Sequence, residues 1–304
     1  MTFSEVVVPM GDAGTFQLGI LSKPEIPAQI GVVVVVGGPQ YRAGSHRQFV
    51  LLSRALAQAG YAVLRLDYQG MGDSDGAPYD FTNVSPDIAR AIEAFQAHVP
   101  SLHNITLWGL CDGASAALLY LHDTEDARVT GLCLLNPWVR SEISLARTQV
   151  KHYYTQRLRQ REFWLKLISG KVAASAVRGL FNSLRGMRTT ARPPVAANLT
   201  FQDKMRISWG KFQGSVLLIL SGEDYTAKEF LEHAQTDQKW ASAIRQPNVH
   251  RLDMKDADHT FSELKHSREV ETATIQWLTN LQPNNRVDMM GYSSKPTLSM
   301  QGSS

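Results

Sequence analysis

The sequence is poor in cysteine: 304 residues hold only Cys111 and Cys133, too few for a disulfide framework. It also lacks long apolar runs. Segments such as Val32 to Val36 fall far short of the ~20 residues needed to span a bilayer. The opening residues, Met1-Thr2-Phe3-Ser4-Glu5, have neither the basic start nor the apolar stretch of a signal peptide. Together these absences lead us to expect a soluble, cytoplasmic chain in a reducing compartment. No Cys/His cluster has zinc spacing, so no metal is expected. No Walker loop is present, and Gly70-Met71-Gly72 lacks the third glycine of a dinucleotide fingerprint. No cofactor and no nucleic-acid partner are therefore expected.

One block is nearly without acid. Between Arg140 and Arg192 there are 12 Lys/Arg against 2 Asp/Glu, although the whole chain carries a net charge of only +3. A basic block on an acidic body suits an anionic ligand, a membrane surface or an acidic partner. A solvated helical face suits it equally. The oligomeric state is not legible.

What is present is a regular alternation. Glu5 to Val8 and Phe16 to Leu21 alternate as two antiparallel strands. Gly31 to Val36 is an unbroken β-branched run, as in a strand buried on both faces. Strands are further predicted over Tyr61 to Leu66, Ile105 to Trp108, Val129 to Leu135, Val216 to Leu220 and Val249 to Leu252. Helices are predicted over Phe49 to Ala59, Pro86 to His98, from Ala114, after a Thr226/Glu229 capping box, and over Glu263 to Leu281. Alternation of this kind requires a mainly parallel sheet with helices on its faces, here of eight strands. It stops between Ser141 and Asp203, in a basic stretch of helical spacing rich in aromatics. The expected division is a first core part over 1–138, a helical insertion over 139–210 after the sixth strand, and a second core part over 211–282. A disordered tail over 283–304 completes it.

The chain is organised around Trp108-Gly109-Leu110-Cys111-Asp112-Gly113. Gly-x-Cys-x-Gly between a strand and a helix is the pattern of a nucleophile elbow, with Cys where Ser is usual. The glycines are needed because side chains there would meet backbone. A sulfur at a helix N-terminus is favoured as thiolate. Such a nucleophile needs a base, and the base an acid to orient it. His259, after the last strand, is the expected base. His103, His122, His152, His233 and His266 read as surface residues; His46 and His250 are less easily dismissed, and His46 could line the pocket mouth. Asp224, in Gly222-x-Asp224 at a strand end, is the expected acid, with Glu223 its near alternative. Asp256 and Asp258 lie in the loop of His259 itself. The oxyanion hole should combine the backbone N–H of Asp112 with that of Gln40, with Gly38 behind it, because Pro39 has no N–H. Cys133, inside an apolar strand, reads as a core thiol.

These residues resemble the α/β-hydrolase superfamily: Gly37-Gly38 after a buried strand, Asp67-x-x-Gly70-x-Gly72-x-Ser74, the Cys111 elbow, Gly222-x-Asp224 and Asp258-His259. Two departures are the Gly37-Gly38 pair, where His-Gly is usual, and the Cys nucleophile, as in dienelactone hydrolases. More narrowly, Gly37 to Arg47 with Gly109-Leu110-Cys111-Asp112-Gly113 resembles the hydrolases associated with the exosortase A system. That resemblance implies a bacterial cytoplasmic enzyme linked to exopolysaccharide clusters. The superfamily resemblance also implies that the 139–210 insertion is a lid. Its Tyr153, Tyr154, Leu158, Phe163, Trp164 and Leu167 would wall an acyl pocket, and its basic residues would meet an anionic head group. Gly38, Tyr41, Arg42 and His46 are the expected substrate contacts. The expected activity is hydrolysis of esters or thioesters. Acyl transfer, a binding protein using the basic block, and peripheral membrane contact through the lid are the alternatives.

Overall fold

The computed structural model describes residues 1–11, 15–38, 40–140 and 199–282. The chain divides into two compact units, Met1–Val139 with Phe201–Ser304, and Arg140–Thr200. Nearly all of the second unit lies outside the described residues. So do the aromatic residues expected to wall an acyl pocket and the expected tail.

Unit one is built on one eight-stranded sheet. Strands β1 (Phe3–Met10), β2 (Gln17–Pro24), β3 (Ile30–Val35), β4 (Val63–Leu66), β5 (Asn104–Leu110), β6 (Val129–Leu135), β7 (Ser215–Ser221) and β8 (Val249–Met254) lie in the order β1-β2-β4-β3-β5-β6-β7-β8. β1 pairs antiparallel with β2, and β2 with β4. Every other pairing is parallel. Each parallel step needs a crossover, supplied by α1 (Gln48–Gln58), α2 (Ser85–His98), α3 (Asp112–Thr124), α4 (Phe201–Lys211), α5 (Tyr225–Thr236) and α6 (Gln238–Ala243). α7 (Leu264–Leu281) follows β8.

The β-branched run of β3 is buried at every position, as two covered faces require. Expected and observed bounds differ where pairing or turns decide them. β1 is longer than its alternation suggested, because β2 pairs with it from Phe3 to Met10. β4 starts at Val63 rather than Tyr61, because the Tyr61 amide bonds back to the Leu56 carbonyl at the end of α1. The N-cap of α5 is Asp224, not Thr226: its carboxylate accepts from the Thr226 and Ala227 amides at 3.0 and 3.1 Å.

The insertion also ends earlier than 210. α4 is a core helix: Met205 and Trp209 are fully buried, and Ser208 Oγ donates to the Leu118 carbonyl of α3 at 2.8 Å. Trp209 stacks on Phe230 of α5 and meets Trp240 of α6 edge-on, with centroids 6.0 and 5.8 Å apart. This aromatic cluster gives α4 an apolar face that belongs to unit one.

Candidate active site

β5 ends at Leu110 and α3 begins at Asp112, so Cys111 alone makes the turn. Its φ is +61° and ψ −126°, a region few non-glycine residues adopt. The neighbouring glycines make the turn possible. A β-carbon on Gly109 would lie 2.6 Å from the Ala114 amide nitrogen, and one on Gly113 2.4 Å from the Val35 carbonyl oxygen. The turn is held by the Cys111 amide, which donates to Leu135 at 2.9 Å, and by the Trp138 amide, which donates to the Cys111 carbonyl at 3.2 Å.

Asp224 follows β7 and His259 follows β8, both at the carboxyl edge of the sheet near the elbow. The His259 Nδ1 and Asp224 Oδ2 atoms are 2.9 Å apart. Asp224 and His259 form a hydrogen-bonded pair, and Cys111 is near enough to the same imidazole to act on its charge. The three residues come from three separate loops. The Asp224 hydrogen bond first, then the neighbouring Cys111 thiol, raise the His259 pKa from 6.5 to about 10. Burial pushes the Asp224 carboxyl up, but the His259 bond and charge and the two helix amides hold it below its ordinary value. Asp224 thus serves as helix cap and imidazole partner at once.

The alternatives separate by geometry. Glu223 is exposed, and Asp258 turns its carboxylate to Ser262. His266 is buried, contrary to the surface expectation. Cys133 is fully buried in β6, where desolvation drives its thiol far above the usual range.

A small network fixes the His259 loop and was not foreseen. Asn136, fully buried at the end of β6 with φ +44°, bonds three partners. Its Nδ2 donates to Ser221 Oγ at 2.9 Å and to the His259 carbonyl at 3.1 Å, and its Oδ1 accepts from the Ser221 amide at 2.9 Å. Ser221 Oγ in turn donates to the Asp258 carbonyl at 2.8 Å. The Asn-Pro at a strand end was the only available signal.

The loop after β3 is placed differently from expectation in two respects. The Gly38 amide reaches the elbow, donating to the Asp112 carboxylate. The Gln40 side chain accepts the Ser45 amide on its Oε1 at 3.3 Å. Arg42 is not turned toward a substrate: its guanidinium is bound between Asp67 and Asp73, and its amide donates to Asp67 at 2.7 Å. Desolvation opposes the Arg42 charge, but these carboxylates raise its pKa overall. This brace ties the loop to the Asp67-to-Ser74 turn. Tyr41, half exposed, lines a cavity of about 600 Å³ with Gly38, Gln40 and Asp112. His46 sits in a single turn with φ +52°.

The model of the alpha/beta hydrolase family matches residues 32–273, most of the chain. The chain belongs to the alpha/beta hydrolase family. It is similar to the Pyrococcus furiosus esterase Pf2001, with a TM-score of 0.61 at 14% identity, covering 92% of this chain and 94% of that one. It is also similar to DcsB in complex with its substrate analogue, with a TM-score of 0.62 at 15% identity over 93% and 100% of the two chains. These likenesses establish the fold alone. The human (Homo sapiens) protein ABHD12B is 31% identical over 116 residues, which is 36% of this chain and 31% of that protein. The chain therefore spans under a third of this curated relative. Among the described residues, no helix is long and apolar enough to cross a membrane.

Proposed function

We propose that this family member hydrolyses ester or thioester bonds through Cys111, His259 and Asp224. The observation that carries the proposal is the Asp224–His259 hydrogen bond beside Cys111, which sits at positive φ in the turn from β5 to α3. Sγ attacks the acyl carbonyl and forms a tetrahedral oxyanion, its proton passing to His259. The oxyanion collapses, the leaving group departs with the proton from His259, and an S-acyl enzyme remains. His259 then takes a proton from water, which attacks the thioester and releases the acid. Asp224 holds the imidazole orientation and stabilises its charge. The backbone amides of Asp112 and of the Gly38–Gln40 loop serve as oxyanion donors, Gly38 being the one whose amide reaches the elbow.

Thioesters and activated esters suit this chemistry, because the S-acyl intermediate is itself a thioester. Two free cysteines suit a cytoplasmic setting. The likeness of Gly37 to Arg47 and Gly109 to Gly113 to exosortase-associated hydrolases supports a bacterial exopolysaccharide context.

The test is alkylation of Cys111 by limiting iodoacetamide across pH, read by intact mass, beside turnover of acyl thioesters. Wild type should label at a pH well below an ordinary thiol. His259→Ala should label only as the pH rises, and Cys111→Ala should abolish turnover. Ordinary labelling unchanged by His259→Ala, or full turnover by Cys111→Ala, would overturn the reading.

A further inference from the structure

An amide that should receive an oxyanion is already engaged. The Asp112 carboxylate accepts the Gly38 N–H from the neighbouring loop, and the Asp112 and Gly113 amides lie close enough to that carboxylate to oppose the rise in its pKa. A β-carbon built on Gly37 would lie 2.5 Å from the same oxygen, so loop and carboxylate are in close contact. Among the described residues, no atom lies within 4 Å of a β-carbon built on Gly38.

Asp112 also has somewhere to go. Its side chain lines the 600 Å³ cavity together with Gly38, Gln40, Tyr41, Tyr79 and Phe81. A turn about its side-chain bonds would carry the carboxylate off the amides and into that space. Burial raises its pKa most, the amides oppose this, and Asp80 adds like charge.

We propose that Asp112 is an internal occupant of the oxyanion cradle, which a substrate carbonyl displaces and a product carboxylate cannot. The inference rests on the nucleophile assigned above. A ring of amides at a helix N-terminus binds any small anion. Hydrolysis of an acyl enzyme yields such an anion beside the cradle. Asp112 competes with it for the same donors and repels it by charge. A substrate's carbonyl enters uncharged and becomes anionic only after Sγ has bonded to it. Asp112 therefore lowers affinity for the acid product, at some expense in oxyanion binding.

The test uses full-length wild type, Asp112→Ala and Asp112→Asn, with melting temperatures measured for each. The probes are hexanoate and an alkyl trifluoromethyl ketone. The ketone accepts Sγ at its carbonyl carbon, the thiol proton passes to His259, and the carbonyl oxygen becomes the oxyanion, visible by ¹⁹F resonance. Asp112→Ala should bind the ketone about tenfold or more tightly, matching relief from one charged hydrogen-bond competitor. Hexanoate, nearly inert on wild type, should become a competitive inhibitor. Asp112→Asn keeps an acceptor oxygen without the charge, so it should lie between the two. Weaker ketone binding by both variants at unchanged melting temperature would show that Asp112 supports the cradle, and would overturn the proposal. So would hexanoate inhibition equal in all three proteins. A ketone that forms no adduct with any of the three, wild type included, would overturn the nucleophile assignment instead. If Asp112→Ala unfolds, the charge-only variant Asp112→Asn decides by the same two readouts.

Discussion

Asn136→Ala should be among the most costly single substitutions near the site. The side chain makes three hydrogen bonds from a fully buried position. Each is worth about 1 kcal/mol when made, and a buried partner left unpaired costs ~1–3 kcal/mol. The Ser221 amide and the His259 carbonyl are the partners that would be stranded. Asn136 also has φ +44°, which alanine adopts at ~1 kcal/mol greater cost. The expected loss is about 3–5 kcal/mol. Urea unfolding followed by tryptophan fluorescence measures it. Asn136→Gly separates the causes, since glycine tolerates the backbone and lacks only the side chain; it should be less destabilised than the alanine variant by that ~1 kcal/mol. The loop carrying His259 would loosen, so Cys111 alkylation near neutral pH should slow in both variants. A loss under 1 kcal/mol for Asn136→Ala, with alkylation unchanged, would refute the view that this network holds the His259 loop.

Asp224→Asn should narrow the pH range of stability. The raised His259 pKa contributes stability fully present below 6.5 and lost as pH rises through about 10. The lowered Asp224 pKa contributes stability present above 3.8 and lost as pH falls through its folded value. The two contributions coincide between pH 3.8 and 6.5, so the melting temperature should drop more at pH 6 than at pH 10.5. An equal drop at both would count against the pair. Trp209→Ala should cost ~3–5 kcal/mol, because it empties the centre of the α4–α5–α6 aromatic cluster. Thermal melting checks it, and a surface-like loss below 1 kcal/mol would place α4 outside the core.

Much of the site was legible because the chemistry constrains the local chain. Here the flanking glycines of Gly-x-Cys-x-Gly let a strand turn into a helix through one residue at positive φ, and that requirement is written in consecutive letters. The same holds for the buried run of β3 and for the Asp224 and His259 loops, each attached to a strand end. Arg42 was misplaced because its partner Asp67 lies 25 residues away, on a different loop. From sequence, a basic residue near a pocket reads as a ligand contact; the fold gives it two carboxylates instead. Asn136 was passed over for the same reason. Its three bonds cross to β7 and the His259 loop, and a buried asparagine carries no local mark of that.

Sequence alone determined the alternation of strands and helices, the strand-to-helix turn at Cys111, and the chain order Cys111, Asp224, His259. These follow from short-range sterics and the period of apolar residues. Only the tertiary structure decided that Asp224, not Glu223, meets the imidazole, that α4 packs in the core, and that Gly38 and Asp112 meet over the elbow. Those outcomes depend on which loops the sheet order brings side by side, and hydrogen bonds between distant segments are made only once that order exists.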